Sequence, residues 1–208
     1  MKEILFDLFN LLSIIKQKLY CNVHNVIYVI DDPKMIAPVV PKIDIRYVKV
    51  QTISELNRYK HDENIRKEFV KFKYFLKHGV RIYLAKHNKN IVGYYLLADL
   101  DKFKPYLYNN HPIFQSSKRR YYIFHCRTFE QYRGNRIYPY MLTVMCGDVF
   151  SENKNSIIFI STSADNIASQ KGIEKTGFKK IGALKYTQIG ILKIKREVTK
   201  DEYSYSIQ

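Results

Sequence analysis

The first half of the chain alternates apolar and polar residues in a way that predicts a strand, a helical segment and a hairpin. Residues 43–50, IDIRYVKV, alternate as a half-buried strand does. Residues 54–78 place apolar side chains at helical spacing, and Gly79 is a typical helix stop. The apolar runs VRIYLAKH and IVGYYLLADL follow, joined by Asn-Lys-Asn, in which asparagine tolerates the positive φ of a tight turn.

The second half predicts strands that alternate with helices. The runs RYYIFHCRTF and SIIFIST are typical of strands, and a helix is predicted between them from Arg136 to Phe150. A second helix, within DNIASQKGIEKTG, has Asp165 or Asn166 near its N-cap and stops at Gly177, and two strands are predicted after it. A sheet built from hairpins and from a strand–helix–strand unit contains antiparallel and parallel pairs. The predicted fold class is therefore α/β or α+β, a mixed sheet flanked by helices.

Residues 1–42 are predicted to form an N-terminal extension, and residues 43–208 the main domain. Within the extension, VHNVIYVI is typical of a strand, whereas the prolines of DDPKMIAPVVPK are compatible with neither a helix nor a central strand. Polar residues recur every three or four positions in residues 1–20, which predicts an amphipathic helix that packs on the domain or on a partner subunit. This run is too short to span a membrane, although its basic end leaves weak contact with a membrane surface open.

The composition indicates a globular, cytoplasmic protein that attracts anions. Hydrophobic residues make up 46% of the 208 residues, which argues against intrinsic disorder. The net charge is +16, but the basic residues are spread along the chain, so no specific nucleic-acid binding is expected. The 3 cysteines and 6 histidines lack metal-binding or disulfide spacing, which predicts free thiols in a reducing cytoplasm and no metal.

The segment YRGNRIYPYML, residues 132–142, has the features of an anion-binding loop that runs into a helix. The first N–H groups of a helix lack intrahelical partners, and the helix dipole adds positive potential. Gly134 lets a ligand approach the backbone, and the guanidinium groups of Arg133 and Arg136 are suited to phosphate. Pro139 fits a first helical turn. On these residues alone, a phosphate-binding loop and a basic surface turn agree equally well with the sequence.

A second segment, DNIASQKGIEKTGF, follows one strand later and favours the phosphate-binding interpretation. Together the two segments resemble the GNAT superfamily of acyl-CoA N-acyltransferases, whose loop pattern is Tyr-Arg-Gly-x-Gly-Ile-Gly. The loop pattern is matched at Tyr132, Arg133, Gly134 and Ile137. The helix pattern of the family is matched at Asn166, Ser169, Glu174, Lys175, Gly177 and Phe178. The resemblance is firmest over residues 120–180 and extends, by the order of elements, to residues 43–198.

The resemblance implies an acetyl-CoA-dependent N-acetyltransferase that acts on the primary amine of a small molecule, with an amino sugar as a candidate. Main-chain groups of Cys126, Arg127 and Thr128 would bind the pantetheine arm and polarise the acetyl carbonyl. Asn166 would donate to the pantetheine arm from the second helix, which also carries Ser169. Main-chain amides of the loop would bind the pyrophosphate, namely those of Arg133, Gly134, Asn135, Arg136, Ile137 and Tyr138.

The chain departs from the family pattern in two places. Arg136 and Tyr138 occupy glycine positions of the loop, which costs little where φ is negative, and their side chains would point away from the phosphates or assist in binding them. Many relatives carry a tyrosine on the second helix that acts as the general acid for the leaving thiolate. Residues 172–174, Gly-Ile-Glu, contain no tyrosine. The leaving thiolate would then be protonated by water, by a residue elsewhere such as Tyr186, or not at all, because a CoA thiolate is a tolerable leaving group. His125 is the best candidate for the general base that accepts the amine proton, because the ordinary pKa of histidine lies near neutrality. The alternative interpretation is that His125 only packs or forms a hydrogen bond within its strand.

Two other functions stay open on sequence alone. A GNAT-like module that binds CoA without catalysis agrees with the missing tyrosine, and a basic protein that binds nucleic acid or a membrane surface agrees with the charge. No motif identifies the acceptor, the acyl chain length or the oligomeric state, a homodimer included.

Overall fold

The computed structural model describes residues 20–103, 114–189 and 192–200, with side chains in residues 24–103 and 114–185. The amphipathic helix predicted at the N-terminus, residues 104–113 and the side chain of Tyr186 lie outside the described residues.

The described residues form one mixed sheet of eight strands. The strands are β1 (Tyr20–Ile30), β2 (Arg46–Val50), β3 (Arg81–His87), β4 (Asn90–Asp99), β5 (Arg119–Thr128), β6 (Ser156–Ser163), β7 (Lys179–Ile189) and β8 (Leu192–Lys200). Their order across the sheet is β2-β3-β4-β5-β6-β1-β7-β8. β5 and β6 are parallel, and each other neighbouring pair is antiparallel. The predicted fold class, a mixed sheet flanked by helices, is confirmed.

The prediction of one continuous helical segment over residues 54–78 is wrong, because three short helices occupy this stretch. The α-helices of the described residues are α1 (Ile53–Asn57), α2 (Glu63–Arg66), α3 (Phe69–Lys77), α4 (Ile137–Glu152) and α5 (Ile167–Glu174). Thr52 and Glu55 form a capping box on α1, and the Asp62 carboxylate accepts from the first N–H groups of α2. These polar side chains start new helices where the apolar spacing alone predicts one. No helix in the described ranges is long and apolar enough to cross a membrane.

Helices cover both faces of the sheet. On one face, Leu142 and Met145 of α4 and Ile173 of α5 pack in one apolar cluster with Tyr28 and Ile158 of the sheet. On the other face, a second apolar cluster contains Leu56 of α1, Ile65 of α2 and Phe72 of α3. β5 therefore runs through the middle of a sheet that is buried on both sides.

β1 is a central strand, antiparallel to β6 on one side and to β7 on the other. The proline-rich connector after it begins with a 3-10 turn at Pro33–Met35 and then bonds to the second half of the chain. Its Ala37 N–H donates to the Thr176 carbonyl at 3.2 Å, and its Lys42 N–H donates to the Asn135 carbonyl at 3.0 Å. The division of the chain near residue 43 stays a prediction. The structure adds that residues preceding it supply a strand and brace the loop before α4.

Candidate functional site

β5 and β6 pair as parallel strands over only part of their lengths. The paired residues run from Arg119 with Ser156 to Ile123 with Ile160. Beyond that point β5 continues along β4 and β6 continues along β1, so the two strands separate. The separation opens a cavity of about 800 Å³, which the starts of α4 and α5 also line.

A β-bulge at His125 changes the direction of the side chains where the strands separate. His125 and Cys126 lie opposite the single residue Tyr95 of β4, and His125 has a φ of 48°. Such a φ is uncommon outside glycine, and bulges are frequent next to active sites. The ring of His125 lies on the α3 side of the sheet, near Phe72 and Tyr94, whereas Cys126 packs against the cluster of the α4 side.

His125 belongs to a group of polar side chains on the α3 side of the cleft. Its Nε2 atom lies 3.2 Å from Glu68 Oε2 and 3.3 Å from Lys71 Nζ. The Tyr94 hydroxyl donates to Glu68 Oε1 at 3.2 Å and so fixes the carboxylate. Burial lowers the pKa of His125, and the Lys71 ammonium lowers it further, against the opposite effect of Glu68. The imidazole is therefore neutral near pH 7 and able to accept a proton.

Glu68 is ionised beside this imidazole. Burial alone would raise the pKa of Glu68, but the hydrogen bond and charge of His125, together with the Lys71 cation, hold that pKa below its ordinary value. The Glu68 carboxylate favours a proton on Nε2, whereas the Lys71 ammonium, 3.3 Å from the same nitrogen, can only donate to it, so both tautomers of the neutral ring have a partner at Nε2. Glu68 also stabilises the imidazolium that forms when His125 accepts a proton.

Cys126 is a half-buried thiol rather than a nucleophile. Burial raises the pKa of Cys126 to about 12, and its Sγ atom lies 3.6 Å from the Phe124 carbonyl, to which it donates. A thiol with so high a pKa carries almost no thiolate at neutral pH. The main-chain groups of Cys126 are the part of this residue that suits a ligand.

The loop between β5 and α4 places the uncapped N-terminus of α4 at the cavity. A 3-10 turn at Glu130–Tyr132 is followed by Gly134, which has a φ of 80°. The Asn135 side-chain amide donates to the Tyr132 carbonyl at 3.1 Å and so braces the loop. None of the described side chains caps α4, so its first N–H groups are available to an anionic ligand.

Arg136 departs from the backbone conformation expected of it. It is the N-cap residue of α4 and has a φ of 59°. The family pattern has glycine at this position, and arginine would replace glycine at little cost only where φ is negative, which it is not here. The chain needs the left-handed conformation here because the extended loop turns into the helix at this residue. A left-handed conformation costs an L-residue about 1–2 kcal/mol. The Arg136 side chain is exposed.

Tyr138 lies in the first turn of α4 and directs its ring away from the loop, toward α5. The ring stacks on Tyr95, with centroids 6.3 Å apart and planes 20° apart. Its hydroxyl oxygen accepts from Ser169 Oγ at 3.1 Å. Asn166 caps α5 by accepting from the Ser169 N–H at 3.0 Å. Tyr138 and Ser169 thus connect the two helices beside the cavity.

The structure brings nearly all of the predicted site residues to one cavity. Those that line it are His125, Cys126, Arg127, Thr128, Arg133, Gly134, Arg136, Ile137, Tyr138, Asn166 and Ser169. Asn135 is not among the lining residues and instead holds the loop. The described residues contain no group of three or more His, Cys, Asp or Glu that could hold a metal ion.

Several residues of the site were missed by the sequence analysis. Lys171 of α5 lines the cavity, and Glu68 and Lys71 contact His125. Glu68 precedes His125 by 57 positions and belongs to no motif. No local signal in the sequence could have identified it.

The fold and the cleft define first a class of protein, an α/β protein in which an uncapped helix N-terminus faces a cavity, an arrangement that suits an anionic ligand. The family follows from comparison of the sequence with known families. The sequence model described as acetyltransferase (GNAT) family matches residues 49–178, more than half of the chain. The chain therefore belongs to the GNAT acetyltransferase family, and the resemblance of the two segments is confirmed.

Solved structures share the fold at low sequence identity. A GNAT-family acetyltransferase from Colwellia psychrerythraea covers 85% of this chain at 13% identity, with a TM-score of 0.52. A functionally unknown conserved protein from Staphylococcus epidermidis covers 83% at 15% identity, with a TM-score of 0.53. This chain spans 57% and 64% of those two proteins, respectively. Among curated proteins, none matches this sequence significantly.

Proposed function

We propose that this chain is an N-acetyltransferase that transfers the acetyl group of acetyl-CoA to a primary amine of a small molecule. The observation that carries the proposal is the cleft between β5 and β6. It brings an open, basic helix N-terminus and the neutral base His125 to one cavity. Membership of the acetyltransferase family supports acetyl transfer in general.

The cavity fits an acyl-CoA in size and chemistry. Its volume of about 800 Å³ lies within the usual range of ligand sites. The pyrophosphate would be bound by the open N–H groups of α4 and by Arg133 and Arg136, with further positive charge from Lys171 and Lys175. Residues 126–128 are extended and no longer pair with β6, so their main-chain groups suit the amides of a pantetheine arm. When bound, acetyl-CoA supplies the electrophilic carbonyl carbon.

His125 acts in this proposal as the general base. The acceptor amine attacks the acetyl carbon, and a ring nitrogen of His125 takes the amine proton. Glu68 holds the ring and stabilises the imidazolium from 3.2 Å. A main-chain N–H within residues 126–128 stabilises the oxyanion of the tetrahedral intermediate.

We infer that the acceptor carries negative charge as well as the amine. Lys71 and Arg127 both lower the pKa of His125 by their positive charge. These two cations outnumber the Glu68 carboxylate, so the surroundings of the base carry a net positive charge. The whole chain carries +16. An amino sugar linked to a nucleotide combines the required amine with phosphate groups. The free thiols of Cys126 and Cys146 agree with a cytoplasmic location, where we place the reaction.

Release of free thiol from acetyl-CoA, measured with a panel of amines, tests the proposal. The panel includes nucleotide-linked amino sugars, polyamines and basic peptides, and the N-acetyl product is identified by mass spectrometry. We expect thiol and product in equal amounts with at least one amine. CoA-dependent thermal stabilisation without any product would contradict transfer and indicate a binding module. Strongly salt-dependent binding of RNA or DNA, without stabilisation by CoA, would indicate a nucleic-acid-binding protein.

Replacement of Arg136 by glycine is expected to raise the free energy of unfolding by about 1 kcal/mol, because glycine adopts a left-handed φ without steric cost. CoA affinity should fall by less than about tenfold, since the loop would bind phosphate mainly through main-chain amides. Urea denaturation and calorimetric titration of CoA measure the two effects. A complete loss of CoA binding would show that the Arg136 side chain is a primary phosphate ligand.

Two substitutions beside His125 are expected to move the acidic limb of the pH profile of kcat/KM in opposite directions. Lys71→Met removes a cation that lowers the pKa of His125, so that pKa rises and the limb shifts to higher pH. Glu68→Gln removes an anion that raises the pKa of His125, so the limb shifts to lower pH. If both profiles coincide with that of the wild type, the titrating base is another group.

A further inference from the structure

The two departures from the family pattern, at residue 138 and at residues 172–174, meet in the structure. A Cβ atom added at Gly172 would lie 2.8 Å from Cδ1 and 3.1 Å from Cε1 of the Tyr138 ring. Cβ atoms in proteins essentially never lie within 3.0 Å of another heavy atom that is not bonded nearby. The Tyr138 ring therefore occupies space that only a glycine at position 172 leaves open. The tyrosine at a glycine position of α4 and the glycine on α5 are therefore one complementary arrangement.

The Tyr138 hydroxyl is fixed in position beside the cavity. Its oxygen accepts from Ser169 Oγ at 3.1 Å, which leaves the phenol's own hydrogen for a third group. Stacking on Tyr95, with 20° between the ring planes, holds the ring from the other side. Tyr138 and Ser169 line the same cavity as Cys126 and His125. Burial also raises the pKa of Tyr138 well above its ordinary value, so the phenol stays protonated throughout the neutral range and is a weaker acid than an exposed phenol.

We propose that Tyr138 is the catalytic residue that protonates the leaving thiolate, from α4 rather than from α5. The inference rests on the proposed acetyl transfer. As the acceptor nitrogen bonds to the acetyl carbon, the C–S bond breaks and its electron pair stays on sulfur. The Tyr138 O–H bond then breaks, its proton forms the S–H bond of free CoA, and Ser169 stabilises the phenolate until water returns a proton. The amine proton leaves through His125, so the products are an N-acetyl amide and a neutral thiol.

Tyr138→Phe tests the inference because it removes the hydroxyl and keeps the ring. The expected result is a decrease of about 10²-fold in kcat, with the KM for acetyl-CoA and the Kd of CoA unchanged, since only the proton donor is lost. The matched control is Tyr83→Phe, which removes a hydroxyl that donates to Asp148 of α4 at 3.0 Å; neither residue lines the cavity. This control should keep the kcat of the wild type.

Gly172→Ala provides a second, independent variant. The added methyl group must displace the Tyr138 ring, so kcat should fall as it does in Tyr138→Phe. The kcat of the double variant Gly172→Ala/Tyr138→Phe should be no lower than that of either single variant, because both substitutions remove the same proton donor, the Tyr138 hydroxyl.

Two results would overturn the inference while leaving the proposed function intact. One is a Tyr138→Phe enzyme with the kcat of the wild type. The other is a Tyr138→Phe enzyme whose only defect is weaker CoA binding, which would make the hydroxyl a binding group. If the wild type itself releases no thiol with any amine, the proposed function fails and the role of Tyr138 fails with it.

Discussion

Replacement of His125 by asparagine is expected to lower kcat for acetyl transfer by about 10²–10⁴-fold, the usual contribution of a general base, while CoA binds as it does to the wild type. Asparagine tolerates the φ of 48° at the bulge better than most residues, so β5 should keep its path. The variant then lacks only the ring nitrogen that accepts the amine proton. Thiol release and calorimetric titration of CoA separate the chemical step from binding.

Glu68→Gln is the matched control for this experiment. It keeps the shape of the side chain 3.2 Å from His125 Nε2 and removes the charge that stabilises the imidazolium. Its kcat should lie between that of the wild type and that of His125→Asn. A His125→Asn enzyme with the kcat of the wild type would show that His125 is a packed strand histidine and that the base lies elsewhere.

Replacement of Gly177 by alanine is expected to lower the free energy of unfolding by about 2–5 kcal/mol, the sum of left-handed strain and overpacking. Gly177 has a φ of 92° after the end of α5, and an added Cβ would overlap with the main-chain carbonyl of Met35. The turn at Pro33–Met35 would have to move as a unit. Its movement would strain the hydrogen bond from the Ala37 N–H to the Thr176 carbonyl, now 3.2 Å long.

Urea denaturation measures this effect, and Gly147→Ala is the control for it. Gly147 lies inside α4, and an added Cβ there meets nothing within 4 Å. Alanine at this helical position should stabilise the protein by about 0.5–1 kcal/mol. A Gly177→Ala protein as stable as the wild type would mean that the connector does not pack against the end of α5.

Two glycines and an asparagine at helix ends and tight turns could be predicted from the sequence, whereas the left-handed conformation of Arg136 at the start of α4 could not. Gly134 and Gly177 mark positions where the structure has φ of 80° and 92°, which side chains other than glycine rarely adopt. Asn166 marks the N-cap of α5, because its side chain satisfies a free N–H of the first turn. Residue type and conformation are linked directly at these positions.

The surroundings of His125 could not be predicted, because they depend on contacts between distant residues. The bulge that reorients His125 does not alter the apolar pattern of β5. Glu68 and Lys71 reach His125 from positions 57 and 54 residues earlier in the chain. The place of β1 between β6 and β7 likewise depends on strand pairing, which a local apolar pattern does not determine.

Calorimetric titration of CoA into three forms of the full chain tests most directly whether the cleft between β5 and β6 is the acyl-CoA site. The forms are the wild type, Gly134→Trp and Gly147→Trp, each checked for folding by circular dichroism. Both glycines offer open space to a new side chain, but only Gly134 lines the cavity. We predict that the wild type and Gly147→Trp bind CoA with a Kd in the range of about 1 μM to 1 mM that is typical of enzyme substrates, and that Gly134→Trp does not bind it. Absence of binding by the wild type, or equal affinity in the wild type and Gly134→Trp, would contradict the assignment.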